Sequence, residues 1–259
     1  MKLALYQIDA FAKNIFEGNP AAVCPLTKWL PQELMQKIAM ENNLSESAFF
    51  VQKDEIFEIR WFTPKSEVNL CGHATLASAF VIFEYLDYQK DTITFTSKSG
   101  PLEVKKINNL YELDFPAQNL QKVDTPKLIN EAFNAVPKEC YISLDYIVVF
   151  ENEEDILNAK PNLELLKKLS ARGVIITAKS KEYDFVCRFF APKLGIDEDP
   201  VTGSAFTQLV PYWQKILRQN SFKAKQLSKR GGEVFCESKD KRVKIAGYAK
   251  KYLQGVIEC

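Results

Sequence analysis

The chain of 259 residues has very little histidine, with His73 as its single example. Zincin HExxH motifs, three-histidine zinc sites and Cys2His2 fingers each need at least two histidines, so none of them can form here. The six cysteines include no CxxC pair, the spacing that structural zinc sites use. A Ser-His-Asp hydrolase would have to use His73, and no GxSxG motif accompanies it. We therefore expect no metal ion and no serine-hydrolase chemistry.

Patterns for nucleotide and nucleic-acid binding are also missing. No GxGxxG follows the first predicted strand, and no GxxxxGK motif occurs anywhere, so a bound diphosphate has no evident cradle. Lys and Arg total 34 against 33 Asp and Glu, and the net charge of +1 lacks the positive excess of a nucleic-acid binder. We expect neither a nucleotide cofactor nor a nucleic-acid partner.

Long apolar runs and disulfide patterns are absent as well. The most apolar stretch, 74–83, is shorter than the roughly 20 residues of a membrane span and contains Thr75 and Ser78. The start of the chain, MKLALYQIDAF, is a poor signal peptide because Gln7 and Asp9 interrupt it. The scattered cysteines favour reduced thiols. We expect a soluble, cytoplasmic protein without a membrane partner.

What is present is a large apolar content, 46% of the residues, and an internal repeat. The segment Arg60–Pro64 leads into Cys71-Gly72-His73-Ala74 and a predicted apolar helix. Arg188–Pro192 leads in the same way into Thr202-Gly203-Ser204-Ala205 and a second helix. The period is too long for a solenoid, so the pattern favours a duplicated half over chance similarity of the two strings.

The two predicted helix starts, Gly72-His73 and Gly203-Ser204, would each present unpaired backbone N–H groups and the positive end of a helix dipole. If the two halves face each other, a small anion such as a carboxylate fits between the helix ends. The alternative is that the glycines merely begin two packed helices.

Glu46 has two interpretations at this stage. The spacing Asn43-x-x-Glu46 suits a helix capping box, whereas a carboxyl group at the edge of the apolar strand that follows suits an acid/base. Asp199 is held extended before Pro200, where its side chain could reach His73 or a ligand. Cys71, at a helix start where thiolates are stabilised, is a possible reactive thiol. A two-thiol epimerase would need a second cysteine at Thr202.

Several ordered motifs along the chain resemble one family, the PhzF (phenazine biosynthesis-like) proteins, within the wider diaminopimelate-epimerase fold. These motifs are Asp9–Phe11, Gly18–Val23, Asn43–Phe49, Arg60–Pro64, Glu67–Thr75 and Asp199–Ala205. The resemblance implies an α+β fold of two pseudo-symmetric lobes, each a curled, mostly antiparallel sheet around a central helix. It places an N-terminal lobe at 1–117, to which a C-terminal strand at about 246–259 could return, and a C-terminal lobe at 118–245. The site would lie in the crevice between the lobes, and the assembly would be a homodimer.

The resemblance also implies roles for individual residues, without cofactor or metal. Glu46 would move a proton between carbons of a cyclic, carboxylate-bearing substrate, and this favours catalysis over the capping box. His73 and Asp199 would assist by hydrogen bonding and by placing protons. The residues implied to bind the small anionic metabolite are Asn19, Gly72, Gly203 and Ser204.

One departure from the family is Phe206, where relatives commonly have histidine, and it bears on substrate identity more than on reaction type. We expect a cofactor-independent isomerase with Glu46 as its acid/base. The alternatives are a one-base or Cys71-assisted racemase or epimerase, and a non-catalytic member that binds a metabolite or another protein.

Overall fold

A computed structural model describes every residue from Met1 to Cys259, and the chain forms two compact units. The first comprises Met1–Asp114 together with Ala246–Cys259, and the second comprises Phe115–Ile245. None of the helices combines the length and the hydrophobicity that a membrane crossing requires. Each unit is built mostly of strands, with one long helix of its own.

The elements of the first unit are, in chain order, β1 Lys2–Ala10, β2 Asn19–Leu26, α1 Gln32–Asn42, β3 Glu46–Lys53, β4 Ile56–Phe62, β5 Glu67–Val68, α2 Gly72–Tyr85, β6 Thr92–Ser97, β7 Gly100–Ile107, β8 Leu110–Pro116 and, from the end of the chain, β18 Ala249–Glu258.

The elements of the second unit are β9 Gln121–Val123, α3 Lys127–Phe133, β10 Glu139–Ile142, β11 Tyr146–Val149, α4 Glu153–Leu157, α5 Leu163–Leu166, β12 Val174–Lys179, β13 Phe185–Ala191, a 3-10 turn Pro192–Leu194, β14 Ile196–Asp199, α6 Gly203–Leu217, β15 Ser221–Gln226, β16 Gly232–Lys239 and β17 Arg242–Gly247. The boundary between the units falls within β8 and β17.

The two units pair their strands in the same order. In the first, β1 is antiparallel to β2, β2 is parallel to β3, β3 is antiparallel to β4, and β4 is antiparallel to β5 and parallel to β6. In the second, β10 through β15 repeat this series of directions strand by strand. A parallel pair needs a crossover, which α1 supplies in the first unit and α4 with α5 in the second. The repeat in the sequence is therefore a repeat of topology.

An arginine–glutamate pair recurs at the same place in both units. Arg60 Nε and Nη2 donate to Glu67 at 2.8 and 2.9 Å, and Arg188 donates to Glu198 through the same two nitrogens at 2.7 and 2.9 Å. Each guanidinium also lies over the phenylalanine two residues later in its strand. Each bidentate pair holds in place the segment of chain that leads to the long helix of its unit, α2 in the first and α6 in the second.

The long helices form the cores of their units. Helix α2 is buried at every position from His73 to Ile82 and packs on β1, β2, β3, β7 and β18, as expected for a helix that is apolar on all sides. Helix α6 contains Pro211, whose missing N–H leaves the carbonyl of Thr207 without its helical donor. The backbone N–H of Gln118 donates to that oxygen at 3.0 Å.

Replacing Glu67 tests the repeated ion pair. Hydrogen bonds from Arg60, with help from Lys98, lower the pKa of Glu67 from 4.5 to about 2. A lowered carboxyl pKa contributes stability that is complete above 4.5 and is lost as the pH falls toward 2. We expect Glu67→Gln to reduce the free energy of unfolding by about 1–2 kcal/mol at neutral pH. At about pH 3 the reduction should be much smaller. Urea unfolding at both pH values measures this difference.

The matched control is Glu55→Gln, which removes an exposed pair with Lys90 and should change the unfolding free energy little at either pH. Equal losses for Glu67→Gln at both pH values would contradict the assignment of the effect to the ionised carboxylate.

Candidate active site

The parallel pair of β2 and β3 brings Asn19 and Glu46 to the same edge of the sheet. Each is the first residue of its strand, and the register places Ala21 opposite Glu46. Gly18 makes the turn before β2 possible, because its φ is +66° and a Cβ there would lie 2.1 Å from the carbonyl oxygen of Ala10. Because β2 and β3 are parallel and start at the same edge, the side chains of Asn19 and Glu46 lie near each other.

The start of α2 meets this edge. His73, the second residue of the helix, is 5% exposed, and its Nε2 lies 3.2 Å from Oε2 of Glu46. Its Nδ1 lies 3.3 Å from Nδ2 of Asn19 and 3.5 Å from Sγ of Cys71. The first unit thus brings together four residues that the sequence singled out, and Gly72 stands between Cys71 and His73 as the first helical residue.

Burial decides the protonation state of this imidazole. It lowers the pKa of His73 from 6.5 to about 3, so the ring is neutral at neutral pH. The amide nitrogen of Asn19 can only donate, which assigns Nδ1 as an acceptor and leaves the ring proton on Nε2, facing Glu46. The site therefore holds a carboxyl group beside a neutral N–H donor.

The capping-box interpretation of Glu46 is wrong. Asn43 is the C-cap residue of α1 in the left-handed conformation, with φ of 49°, and Glu46 opens strand β3 instead of the first turn of a helix. The Glu46 side chain is 13% exposed, so it is neither solvated nor sealed in the core. A carboxyl group in such a place has the access to a ligand that an acid/base needs.

The same residues offer a possible set of metal ligands. One ligand atom from each of Glu46, Cys71 and His73 lies within 4.8 Å of the others. Oxygen, sulfur and neutral imidazole nitrogen are donors that zinc accepts. The expectation that the protein works without a metal stays a prediction.

In the second unit, a buried glutamine organises Asp199 and Thr202. Gln226 Nε2 donates to the carbonyl of Asp199 at 2.7 Å, and its Oε1 accepts from the N–H of Thr202 at 2.9 Å. The Thr202 hydroxyl donates to Oδ2 of Asp199. Asp199 is 8% exposed. The carboxylate is thereby fixed just ahead of the start of α6.

The starts of α2 and α6 are alike in what they lack. The N-cap residues Cys71 and Thr202 are both extended, and neither side chain caps the first-turn N–H groups. Neither helix has an acidic residue in its first turn, in contrast to α4, which has three. Gly72 and Gly203 therefore begin helices whose own first turns contain no anionic side chain. Carboxylate binding by Gly72, Gly203 and Ser204 stays a prediction.

Four polar residues near the start of α6 were not found from the sequence. Arg172 Nη2 donates to Ser204 Oγ at 2.9 Å, and Asp145 accepts from that arginine. Gln208 donates to Asp145, and Gln226 accepts from the N–H of Thr202. These contacts join residues far apart in the chain, so no local motif signals them. Phe206 is fully buried and has Phe185 as a neighbour, so its ring belongs to the core of this unit.

The sequence and the fold have counterparts among known proteins. An uncharacterized isomerase of Pseudomonas aeruginosa is 45% identical over 99% of both chains. The crystal structure of a PhzF family protein from Enterococcus faecalis is 46% identical, covers 100% of both chains and superposes with a TM-score of 0.98.

A hydroxyproline epimerase from Agrobacterium vitis, only 8% identical, matches 99% of this chain and 92% of its own with a TM-score of 0.65, which shows a shared fold. The predicted fold class, like that of the PhzF proteins and the epimerases, is confirmed. The family model described as phenazine biosynthesis-like protein matches residues 8–255, and the chain belongs to this PhzC-PhzF family.

Proposed function

We propose that this protein is an isomerase that moves a proton between carbons of a small, carboxylate-bearing substrate, with Glu46 as the acid/base. Relatives named as isomerases support the reaction class. The observation that carries the proposal is the partly exposed Glu46 carboxyl group, 3.2 Å from the N–H side of a neutral imidazole. The substrate class, a cyclic amino or hydroxy acid, comes from the family resemblance.

The chemistry needs a base that can also act as an acid. Glu46 takes a proton from a carbon next to an electron-withdrawing group, the C–H electron pair delocalises into the substrate, and the protonated Glu46 returns the proton to another carbon. A neutral His73 suits this cycle because its Nε2 lies 3.2 Å from Glu46 without the strong attraction of an imidazolium, which would make the carboxylate a weaker base.

The other residues are assigned supporting roles. In this proposal the amide groups at Gly72 and at Gly203, with the Ser204 hydroxyl, bind carboxylate oxygens. Asn19 sets the His73 tautomer through Nδ1, and the family resemblance assigns it to substrate binding as well. Asp199, held by Thr202, assists by hydrogen bonding and by placing protons.

One observation favours a second candidate, a Cys71-assisted racemase. The Cys71 thiol lies at the N-cap position of α2, where the helix dipole stabilises a thiolate, and 3.5 Å from His73 Nδ1. If Cys71 were the base, activity would disappear in Cys71→Ser and alkylation of Cys71 at neutral pH would be fast. Retained activity in Cys71→Ser with a slowly alkylated thiol would dispose of this candidate.

Replacement of Glu46 tests the proposed mechanism. We expect Glu46→Gln to lose at least about 100-fold in solvent deuterium incorporation, because the amide cannot take a proton from carbon. The measurement is mass spectrometry after incubation in D2O with a panel of cyclic amino and hydroxy acids. Glu41→Gln, on the exposed surface of α1, is the matched control and should exchange like the wild type.

Undiminished exchange in Glu46→Gln would refute Glu46 as the base. Ligands that raise the melting temperature of the wild type without any isotope exchange would instead support the alternative of a non-catalytic binding protein.

The protonation state of His73 gives an independent test. Since it is the only histidine, its imidazole nitrogens give one set of NMR signals. We expect these signals to show a neutral ring with the proton on Nε2 at about pH 6, because burial lowers the pKa to about 3. Long-range ¹H–¹⁵N spectra across a pH series measure this.

The sign of the pH effect on stability follows from the same shift. A histidine kept neutral by burial contributes stability above pH 6.5 that is lost as the pH falls toward 3. The loss of unfolding free energy over this range should therefore be smaller in His73→Gln. An imidazolium signal in the folded protein at about pH 6 would contradict the buried, neutral ring.

A further inference from the structure

Arg172 is a partly exposed arginine that the second unit holds rigidly. Its Nε and Nη2 donate to the two carboxylate oxygens of Asp145 at 2.9 and 2.6 Å, and that carboxylate is completely buried. Gln208 Nε2 donates to Asp145 at 2.8 Å, while its Oε1 accepts from the Asp145 N–H at 3.0 Å. The ring of Phe189 lies 5.4 Å from the guanidinium carbon. The orientation of the guanidinium is therefore fixed before any ligand binds.

The contact between Arg172 and Ser204 determines what the serine hydroxyl can do. Nη2 donates to Ser204 Oγ at 2.9 Å, and a guanidinium has no acceptor, so the hydroxyl must be the acceptor. The bonds from Thr207 and Gln208 go to the Ser204 carbonyl and leave Oγ untouched. The hydroxyl hydrogen of Ser204 is thus left to donate to something other than the protein.

The repeat gives Arg172 a counterpart in the first unit. Ser204 is the second residue of α6, as His73 is of α2. Arg172 lies two residues before β12, the strand that corresponds to β3, which begins with Glu46. Asp145 lies one residue before β11, and β11 corresponds to β2, the strand that begins with Asn19. The edge that carries Glu46 in the first unit therefore carries Arg172, paired with the Asp145 carboxylate, in the second.

We propose that Arg172 is a positioning residue for substrate recognition, which orients Ser204 as a hydrogen-bond donor to the carboxylate of the substrate. The inference rests on the proposed function, because it names the group that recognises the acid of that substrate. Guanidinium, hydroxyl hydrogen and first-turn N–H groups are all donors, and together they select an anion over a neutral analogue.

The test uses benzoate as a cyclic carboxylate and benzamide as its neutral analogue, with affinities from isothermal titration calorimetry. We expect the wild type to prefer benzoate, and Arg172→Met to lower the benzoate affinity at least ten-fold while the benzamide affinity stays unchanged. Ser204→Ala should cause a similar loss of benzoate affinity. The double variant Arg172→Met/Ser204→Ala should lose no more affinity than the more affected single variant, because both changes remove the same interaction. Arg172→Lys should restore part of the affinity.

Two variants keep the experiment interpretable. Arg172→Met leaves the Asp145 carboxylate buried without its partner, so Arg172→Met/Asp145→Asn provides a folded form without a buried charge. Arg188→Met removes the analogous bidentate arginine at Glu198, which makes no contact with Ser204, and should keep the benzoate affinity.

Equal affinity of the wild type for benzoate and benzamide would overturn the inference. Wild-type benzoate affinity in Arg172→Met/Asp145→Asn, or additive losses in the double variant with Ser204→Ala, would overturn it as well. The outcome is separate from that for Glu46, because binding needs no proton transfer. Glu46→Gln should bind benzoate even though it loses deuterium exchange, so either proposal can fail alone.

Discussion

The burial of the His73 imidazole is the constraint on which the proposed chemistry of the first unit depends. If the ring were hydrated it would be protonated over part of the physiological range and would form an ion pair with Glu46, 3.2 Å away. An ion pair favours the ionised carboxylate and weakens it as a base. Burial inside the start of an apolar helix prevents this by keeping the ring neutral. In the proposed function, the apolar composition of α2 therefore serves the base as well as the core.

The duplicated topology explains how two different chemistries arise from one scaffold. In each unit a parallel strand pair begins at the edge where a long helix starts, so three chain segments converge without any long loop. The residue types at these positions differ: carboxyl, amide and imidazole in the first unit, and guanidinium, carboxylate and hydroxyl in the second. The backbone repeat supplies the positions, and side-chain divergence supplies the set to which we assign proton transfer and the set to which we assign anion recognition.

Features carried by contiguous residues could be predicted from the sequence, and features made by distant contacts could not. The motifs around Gly72 and Gly203 gave both helix starts correctly. The spacing of Asn43 and Glu46 suggested a cap, because a local pattern cannot show that β3 pairs in parallel with β2 and turns Glu46 into an edge residue. Only the family resemblance corrected this.

The predicted lobe boundary after residue 117 compares with a unit boundary after Asp114.

The side-chain contacts of the second unit were harder to predict. Arg172 and Asp145 are 27 residues apart, and Asp145 and Gln208 are 63 apart. A bidentate ion pair at such separations has no spacing rule, since it depends on which strands become neighbours. The homodimer is also beyond a single chain and stays a prediction.

The residue at the start of α6 argues for a proton shift over inversion by two thiols. Inversion of a stereocentre by two bases needs a second base at the position that matches Cys71, and that residue is Thr202. Its hydroxyl donates to Asp199 and lies 3.2 Å from Gln226 Nε2, so it serves to fix the carboxylate. A threonine hydroxyl held in this way is no substitute for a thiolate. Since the second thiol is missing, the proposed use of Glu46, a single carboxyl group that moves hydrogen along the substrate, is the simpler use of these residues.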